Sequence, residues 1–142
     1  MKITSRGRYA LRVMIDIARQ KSDDFIKLND VAARQRISEK YLESIIASLT
    51  KAGLLVGVRG KGGGYKMAKA PEEYTVGSIL KITEGSLSPV SCLECNNACE
   101  SAAECATLPL WKGLDKVIDD YLESVTIADL AFGTNSPDNY VI

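Results

Sequence analysis

The chain has 142 residues, 46% of them hydrophobic, with 18 basic and 18 acidic side chains and no histidine. That length fits one domain, or one small domain with an extension, and the apolar content is ordinary for a buried core. Without histidine the usual pH switch and the commonest catalytic base are excluded; no apolar run at the N-terminus is long enough for a signal peptide or a membrane span, so a cytoplasmic protein that does not enter membranes is expected.

Zero net charge hides a strong asymmetry. Residues 1–69 carry fifteen Lys or Arg against six Asp or Glu, and residues 70–142 carry three against twelve. A surplus of nine positive charges in one half points to a polyanionic partner for that half. The competing reading, surface charges that segregate without purpose, does not account for the pattern that the basic half also carries.

The first element is a helix ending near Gln20, with Ala10, Val13, Met14, Ile17 and Ala18 at helical spacing. Lys2, Arg6, Arg8 and Arg12 crowd its start, where the helix dipole disfavours positive charge and a phosphate partner would compensate. Lys21 to Lys27 is a polar break, and Asn29 or Asp30 is expected to cap a short helix over 31–35. Arg36 and Ile37 make a tight turn. Ser38 caps the next helix, with Glu39 in its first turn, Leu42, Ile45, Ile46 and Leu49 on its buried face, and Gly53 closing it. Two short helices joined by a tight turn are a helix-turn-helix.

Residues 54–59 read as a strand, Gly60 to Gly64 as a turn and 65–68 as the return strand. A basic, glycine-rich hairpin directly after a helix-turn-helix is a wing. Its glycines let the backbone approach a groove, with Arg59 and Lys61 as charged tips and Gly62 and Gly63 between the strands. A phosphate-binding loop of an NTPase is excluded, because no Gly-Lys-Ser/Thr opens a helix here. Thr75 caps a further helix closed by Gly85. Pro109 starts a long helix whose Leu110, Leu114, Val117, Ile118, Tyr121, Leu122 and Val125 form a stripe at 3–4 spacing. The stripe is broad enough for a partner helix, most simply from a second copy. A short helix over 126–130 and a mobile tail complete the chain.

On the second helix of the motif Ser38, Lys40, Tyr41, Glu43 and Ser44 occupy the N-terminal turns, the part that enters a major groove. Glu43 is repelled by phosphates unless it accepts from cytosine N4, so it belongs to specificity more than affinity.

All four cysteines, Cys92, Cys95, Cys99 and Cys105, lie within fourteen residues, spaced C-x2-C-x3-C-x5-C. Their neighbours Glu94, Asn96, Asn97, Glu100 and Glu104 are polar, which argues against four small core residues. Thiolates are the ligands of iron–sulfur clusters and zinc. Zinc commonly uses two Cys-x-x-Cys knuckles far apart, and only Cys92 and Cys95 form such a pair, so the compact, uneven spacing favours a cluster.

The segments MKITSRGRYAL, SEKYLESIIASLTKAGLL, VRGKGGGY and ITEGSLSPV followed by cysteines resemble the Rrf-two family of winged-helix transcriptional regulators (the IscR, NsrR and CymR type). The resemblance covers residue 1 to about residue 130. It implies a mainly α fold with a small β-hairpin wing and a long C-terminal dimerisation helix. It also implies a homodimer on a palindromic operator in double-stranded DNA, with the Glu43 position tuning site choice and Arg59 taking the wing into the minor groove. Cys92, Cys99 and Cys105 match the cluster ligands of the family. The fourth ligand is a histidine in one type, where this chain has Leu108, and an aspartate in another, where it has Arg8; Cys95 is the extra cysteine. A 2Fe–2S and a 4Fe–4S cluster both remain open.

The organisation expected is a winged-helix DNA-binding unit over 1–85, a cluster-binding cysteine loop over 86–108, dimerisation and terminal helices over 109–131, and a tail over 132–142. The function expected is a DNA-binding regulator, of repressor type, that senses iron–sulfur, redox or nitrosative status. Its rivals are a CymR-like regulator without a cluster that acts through a protein partner, a zinc-loop regulator, and a ferredoxin-like redox protein. No pair of acid and base suited to a substrate is visible, so an enzyme is not expected.

Overall fold

The computed structural model describes residues 2–20, 24–93 and 103–133. Helix α1, Ser5–Arg19, begins at Thr4, whose hydroxyl accepts from the Gly7 amide. Its buried face carries Ala10, Val13, Met14, Ile17 and Ala18, as the spacing predicts. These residues hold the centre of the main core, which is completed by Leu42, Ile45, Ile46, Leu49, Tyr74, Ile79 and Ile127.

Helix α2, Leu28–Gln35, starts three residues before the expected position. Its N-cap is Lys27, which offers no side-chain hydrogen bond, so Asn29 and Asp30 lie inside the helix and are not its caps. Leu28 packs against the core, and Asp30 suits the first turn, where the dipole favours an anion. Arg36 turns the chain in the left-handed region, at φ 56°. Helix α3, Glu39–Lys51, is capped as expected: Ser38 accepts from the Tyr41 amide, and Gly53 takes φ 81° beyond the end.

Strands β1, Leu55–Val58, and β2, Gly64–Met67, pair antiparallel with Val58 opposite Gly64. The wing is also anchored from below, because Ile26 donates to the Tyr65 carbonyl and accepts from the Tyr65 amide, both at 2.8 Å. Gly64, at φ 149°, makes that approach possible: a Cβ there would lie 2.3 Å from the Ile26 carbonyl oxygen. The return strand therefore starts at Gly64, one residue earlier than the sequence pattern puts it.

After a 3-10 turn, Pro71–Glu73, the Tyr74 ring is buried. Its hydroxyl accepts from the Lys69 amide and donates to the Leu54 carbonyl, both at 2.8 Å, and burial raises its pKa. Helix α4, Val76–Glu84, runs from its Thr75 cap to Gly85. Helix α5, Leu108–Ser124, has Pro109 in its first turn, and α6, Ile127–Phe132, opens with a reciprocal cap between Thr126 and Asp129. Arg19 donates to the Ala131 carbonyl and so ties the end of α6 to α1. A second, smaller core of Val76, Leu80, Leu87 and Val125 joins α4 to the end of α5. Among the described residues no helix is long and apolar enough to cross a membrane. The tail beyond Gly133 lies outside the described residues.

Candidate nucleic-acid interface and cysteine loop

Helix α3 is positioned by its buried face, which leaves Ser38, Lys40, Glu43 and Ser44 exposed on the other. Tyr41 differs. It is half-buried, its ring edge-on to Tyr9 with centroids 5.8 Å apart, and Arg12 lies 5.0 Å over the Tyr9 ring. Half of Tyr41 thus serves the packing of α3 on α1. Between α3 and the wing runs an open groove of about 710 Å³ lined by Glu39, Glu43, Val58, Arg59, Gly60 and Gly63, among others. The structure therefore brings the expected specificity residue, Glu43, to the same cleft as the expected wing residues Arg59 and Gly63. Lys61 and Gly62 lie exposed at the wing tip, with Gly62 at φ 81°.

At the start of α1 Lys2 and Arg8 are exposed, and Arg8 donates to the Ser5 hydroxyl. Arg6 is held inward. Its guanidinium donates to Ser44 Oγ at 2.9 Å, to the Ser44 carbonyl at 3.0 Å and to Ser48 Oγ at 2.6 Å. Local sequence places Arg6 among the cations expected to face phosphate, since nothing nearby marks a partner 38 residues away. Ile26 was likewise hidden in a segment read as a polar break; the apolar pair Phe25-Ile26 is the signal that marks it.

The cysteine segment joins α4 to α5. Cys92 sits half-buried in a 3-10 turn, Ser91–Leu93, and Cys105 half-buried just before α5. Both are free thiols. Cys105 Sγ is 3.4 Å from Thr107 Oγ1, and hydrogen bonds from the Thr107 hydroxyl and then its backbone lower the thiol pKa. A lowered thiol is a better metal ligand, because the thiolate is the binding form. Cys95 and Cys99 lie outside the described residues. Leu108 opens α5 and Arg8 lies in the first turn of α1; the Leu108 side chain has no donor atom, and the Arg8 guanidinium stays protonated and so is a poor ligand for iron. Four thiols so close in sequence are a soft donor set that suits a cluster or zinc.

On α5 no residue is buried. Leu110 is 61% exposed and Val117 64%, with Leu114 and Tyr121 on the same stripe. These four apolar side chains form one exposed stripe along α5.

The Rrf2 family model, described as iron-dependent transcriptional regulator, matches residues 3–132. The chain belongs to the Rrf2 family. Among its relatives are HTH-type transcriptional regulators named IscR. The one from Aliivibrio salmonicida is 36% identical over 92% of this chain and 77% of its own length. The one from Erwinia tasmaniensis is 37% identical over 92% and 78%. Among solved structures, CymR, the global cysteine regulator of B. subtilis, superimposes with TM-score 0.77 at 35% identity, covering 95% of this chain and 99% of that one. IscR of T. potens gives 0.74 at 32% identity, covering 100% and 93%. This Rrf2 protein is accordingly a winged-helix transcriptional regulator of the IscR and CymR type, a DNA-binding protein and not an enzyme.

Proposed function

We propose that this Rrf2 protein is a homodimeric repressor that reports iron–sulfur, redox or nitrosative status through a cluster bound by Cys92, Cys99 and Cys105, with Cys95 as the candidate fourth ligand. One observation carries the reading. The cysteine segment is the direct connection between α4, which is packed on the DNA-binding head, and α5, which presents the apolar stripe. A change of ligation there acts on both ends at once. Residues 1–85 serve as the head, 86–108 as the sensing loop and 109–131 as the dimerisation element.

The DNA is a duplex with two-fold symmetric half-sites. Lys2, Arg8, Lys40 and Lys61 neutralise phosphates, α3 enters the major groove and reads it with Ser38, Lys40, Tyr41 and Glu43, and the wing takes Arg59 with Gly62 and Gly63 into the minor groove. The bound cluster would supply a charge and a set of bonds at the loop that oxidants or nitric oxide remove. The protein's part would be to hold thiolates in place, and Thr107 Oγ1, 3.4 Å from Cys105 Sγ, is placed to donate to that one. A switch further requires that the two loop states differ in affinity for DNA.

The test is purification without oxygen, with absorbance spectrum, iron and sulfide analysis, and DNA affinity measured before and after chelation. Iron and sulfide in the protein with a changed affinity on stripping support the reading. The likeness to a cysteine regulator favours a second one, a cluster-free regulator acting through a protein partner. Colourless, metal-free protein with full DNA affinity selects it, and zinc in place of iron selects a zinc-loop regulator.

A further inference from the structure

The start of α1 touches two things at once. On one side Glu84, the last residue of α4 before the segment that leads to the cysteines, accepts through Oε1 from the Thr4 amide at 3.2 Å and the Thr4 hydroxyl at 2.7 Å. Gly7 leaves the room for this, since a Cβ there would lie 2.1 Å from Glu84 Oε1. On the other side, two residues after Thr4, Arg6 grips Ser44 and Ser48 on α3. Ser44 follows Glu43, so the grip adds a polar tie, beside Glu43, to the orientation that the buried face gives α3. Helix α4 in turn is tied to α5: Glu123 accepts from the Thr75 hydroxyl at 2.8 Å and from Lys81 at 2.9 Å, and Lys81 also pairs with Asp119 at 2.6 Å.

We propose that the first turn of α1 is the relay between the cysteine-loop side of the molecule and the recognition helix, with Glu84 and Arg6 as its two positioning residues. The proposal deepens the sensing function proposed above and rests on it for its input. Its residue-level core, the contact path from Glu84 through Thr4 and Arg6 to α3, is independent of that function. Spatial continuity is not coupling; coupling is a free energy that a double-mutant cycle measures.

The cycle uses wild type, Glu84→Ala, Arg6→Ala and the double variant, as metal-free full-length protein, on a duplex enriched from a random pool by the wild type. Glu84 is an anion, so on charge alone its removal tightens binding to DNA; the relay weakens it, by roughly fivefold or more. Arg6→Ala weakens binding without changing the salt slope, whereas loss of a phosphate contact lowers that slope by about 0.9. The double variant falls short of the product of the two single effects. Glu84→Gln keeps the acceptor for Thr4 but loses the charge, so it binds at least as tightly as wild type, which separates positioning from charge and from misfolding. Tighter binding by Glu84→Ala, strict additivity, or a salt slope reduced by Arg6→Ala overturns the relay.

A second arm compares iron-loaded with chelated protein. Loss of the loaded-to-stripped affinity ratio in Glu84→Ala supports the relay, and a ratio equal to wild type overturns it. Wild type that takes up no iron defeats the sensing function and leaves the metal-free cycle to decide the coupling.

Discussion

Arg34 donates from Nε and Nη2 to both carboxylate oxygens of Asp16, at 3.1 and 2.7 Å, and so ties α2 to the last turn of α1. Asp16 is only 5% exposed and also accepts from Gln35 at 2.7 Å, so a carboxylate inside the head is fully served by hydrogen bonds. The Arg34 guanidinium has its pKa raised, chiefly by the hydrogen bond to Asp16, and stays cationic throughout. Asp16→Ala strands the Arg34 and Gln35 donors. A loss of about 1–3 kcal/mol is expected, the lower part of that range because Arg34 is partly exposed and can turn to water. Arg34→Met leaves the buried anion without its cation and is expected to cost at least as much. Urea denaturation checks both; midpoints equal to wild type would show the pair to be neutral.

Acid should loosen the junction between α4 and α5. The Glu123 pKa is lowered below its ordinary 4.5 by its hydrogen bonds from Lys81 first and then Thr75. A depressed carboxylate adds stability that is present above its unfolded pKa and is lost as pH falls through the folded value. Stability is therefore expected to drop below about pH 4.5 in wild type and to drop less in Glu123→Gln. Thermal unfolding across that range reads the difference, and parallel curves would remove Glu123 from the acid response.

The head was legible in the sequence because its signals are local. Ser38, Leu42, Ile45, Ile46, Leu49 and Gly53 mark one helix by cap, periodicity and stop within sixteen residues, and each falls where expected. The wing was legible for the same reason. Helix α2 was misplaced because its start carries no side-chain cap; burial of Leu28, not a hydrogen bond, decides where it begins. The bonds of Glu84 to Thr4 and of Arg6 to Ser44 cross 80 and 38 residues, and no composition or period records them. In the cysteine segment the sequence shows the donors, while Cys95 and Cys99 fall outside the described residues.

Glu43 and Arg59 share one groove and should fail differently. Arg59→Ala is expected to weaken binding to every duplex, most where an A·T-rich minor groove is narrow, because the narrow groove concentrates negative potential. Glu43→Ala is expected to relax discrimination by about 1–3 kcal/mol at the base it faces while sparing general affinity, since it removes a repulsion along with a contact. Competition binding with a randomised duplex pool separates them. An equal loss on all sequences for Glu43→Ala would reject its specificity role.

Val117 stands 64% exposed on α5 in the single chain, so a charge placed there does not disturb the described core. In a two-fold dimer built on the stripe, Val117→Asp buries that charge in an apolar seam. Dimerisation is expected to weaken at least tenfold, equivalent to about 1.4 kcal/mol. Sedimentation should show folded monomer, with circular dichroism unchanged. A dimer as tight as wild type would move the interface off α5.

The cysteine loop yields the most divided expectation. In the function proposed above Cys92, Cys99 and Cys105 hold the cluster, so each change to Ala is expected to cripple loading. For Cys105 a second reason is visible, because the hydrogen bonds of Thr107 already lower its thiol pKa. The fourth donor has fewer candidates. By the resemblance drawn from the sequence, Leu108 and Arg8 stand where the fourth ligand is expected; Leu108 has no donor atom and the Arg8 guanidinium is protonated. Cys95, three residues from Cys92, offers the soft sulfur that iron prefers over oxygen. Against it, ligands so close in sequence strain a small loop, and Glu94, Glu100, Glu104 or a carboxylate of a second subunit could serve instead. Cys95→Ala and Cys105→Ala, purified side by side without oxygen, decide it. Ligation by Cys95 predicts reduced iron and sulfide or a changed spectrum in both variants. Full loading with an unchanged spectrum in Cys95→Ala alone excludes Cys95 and assigns the fourth position to a carboxylate.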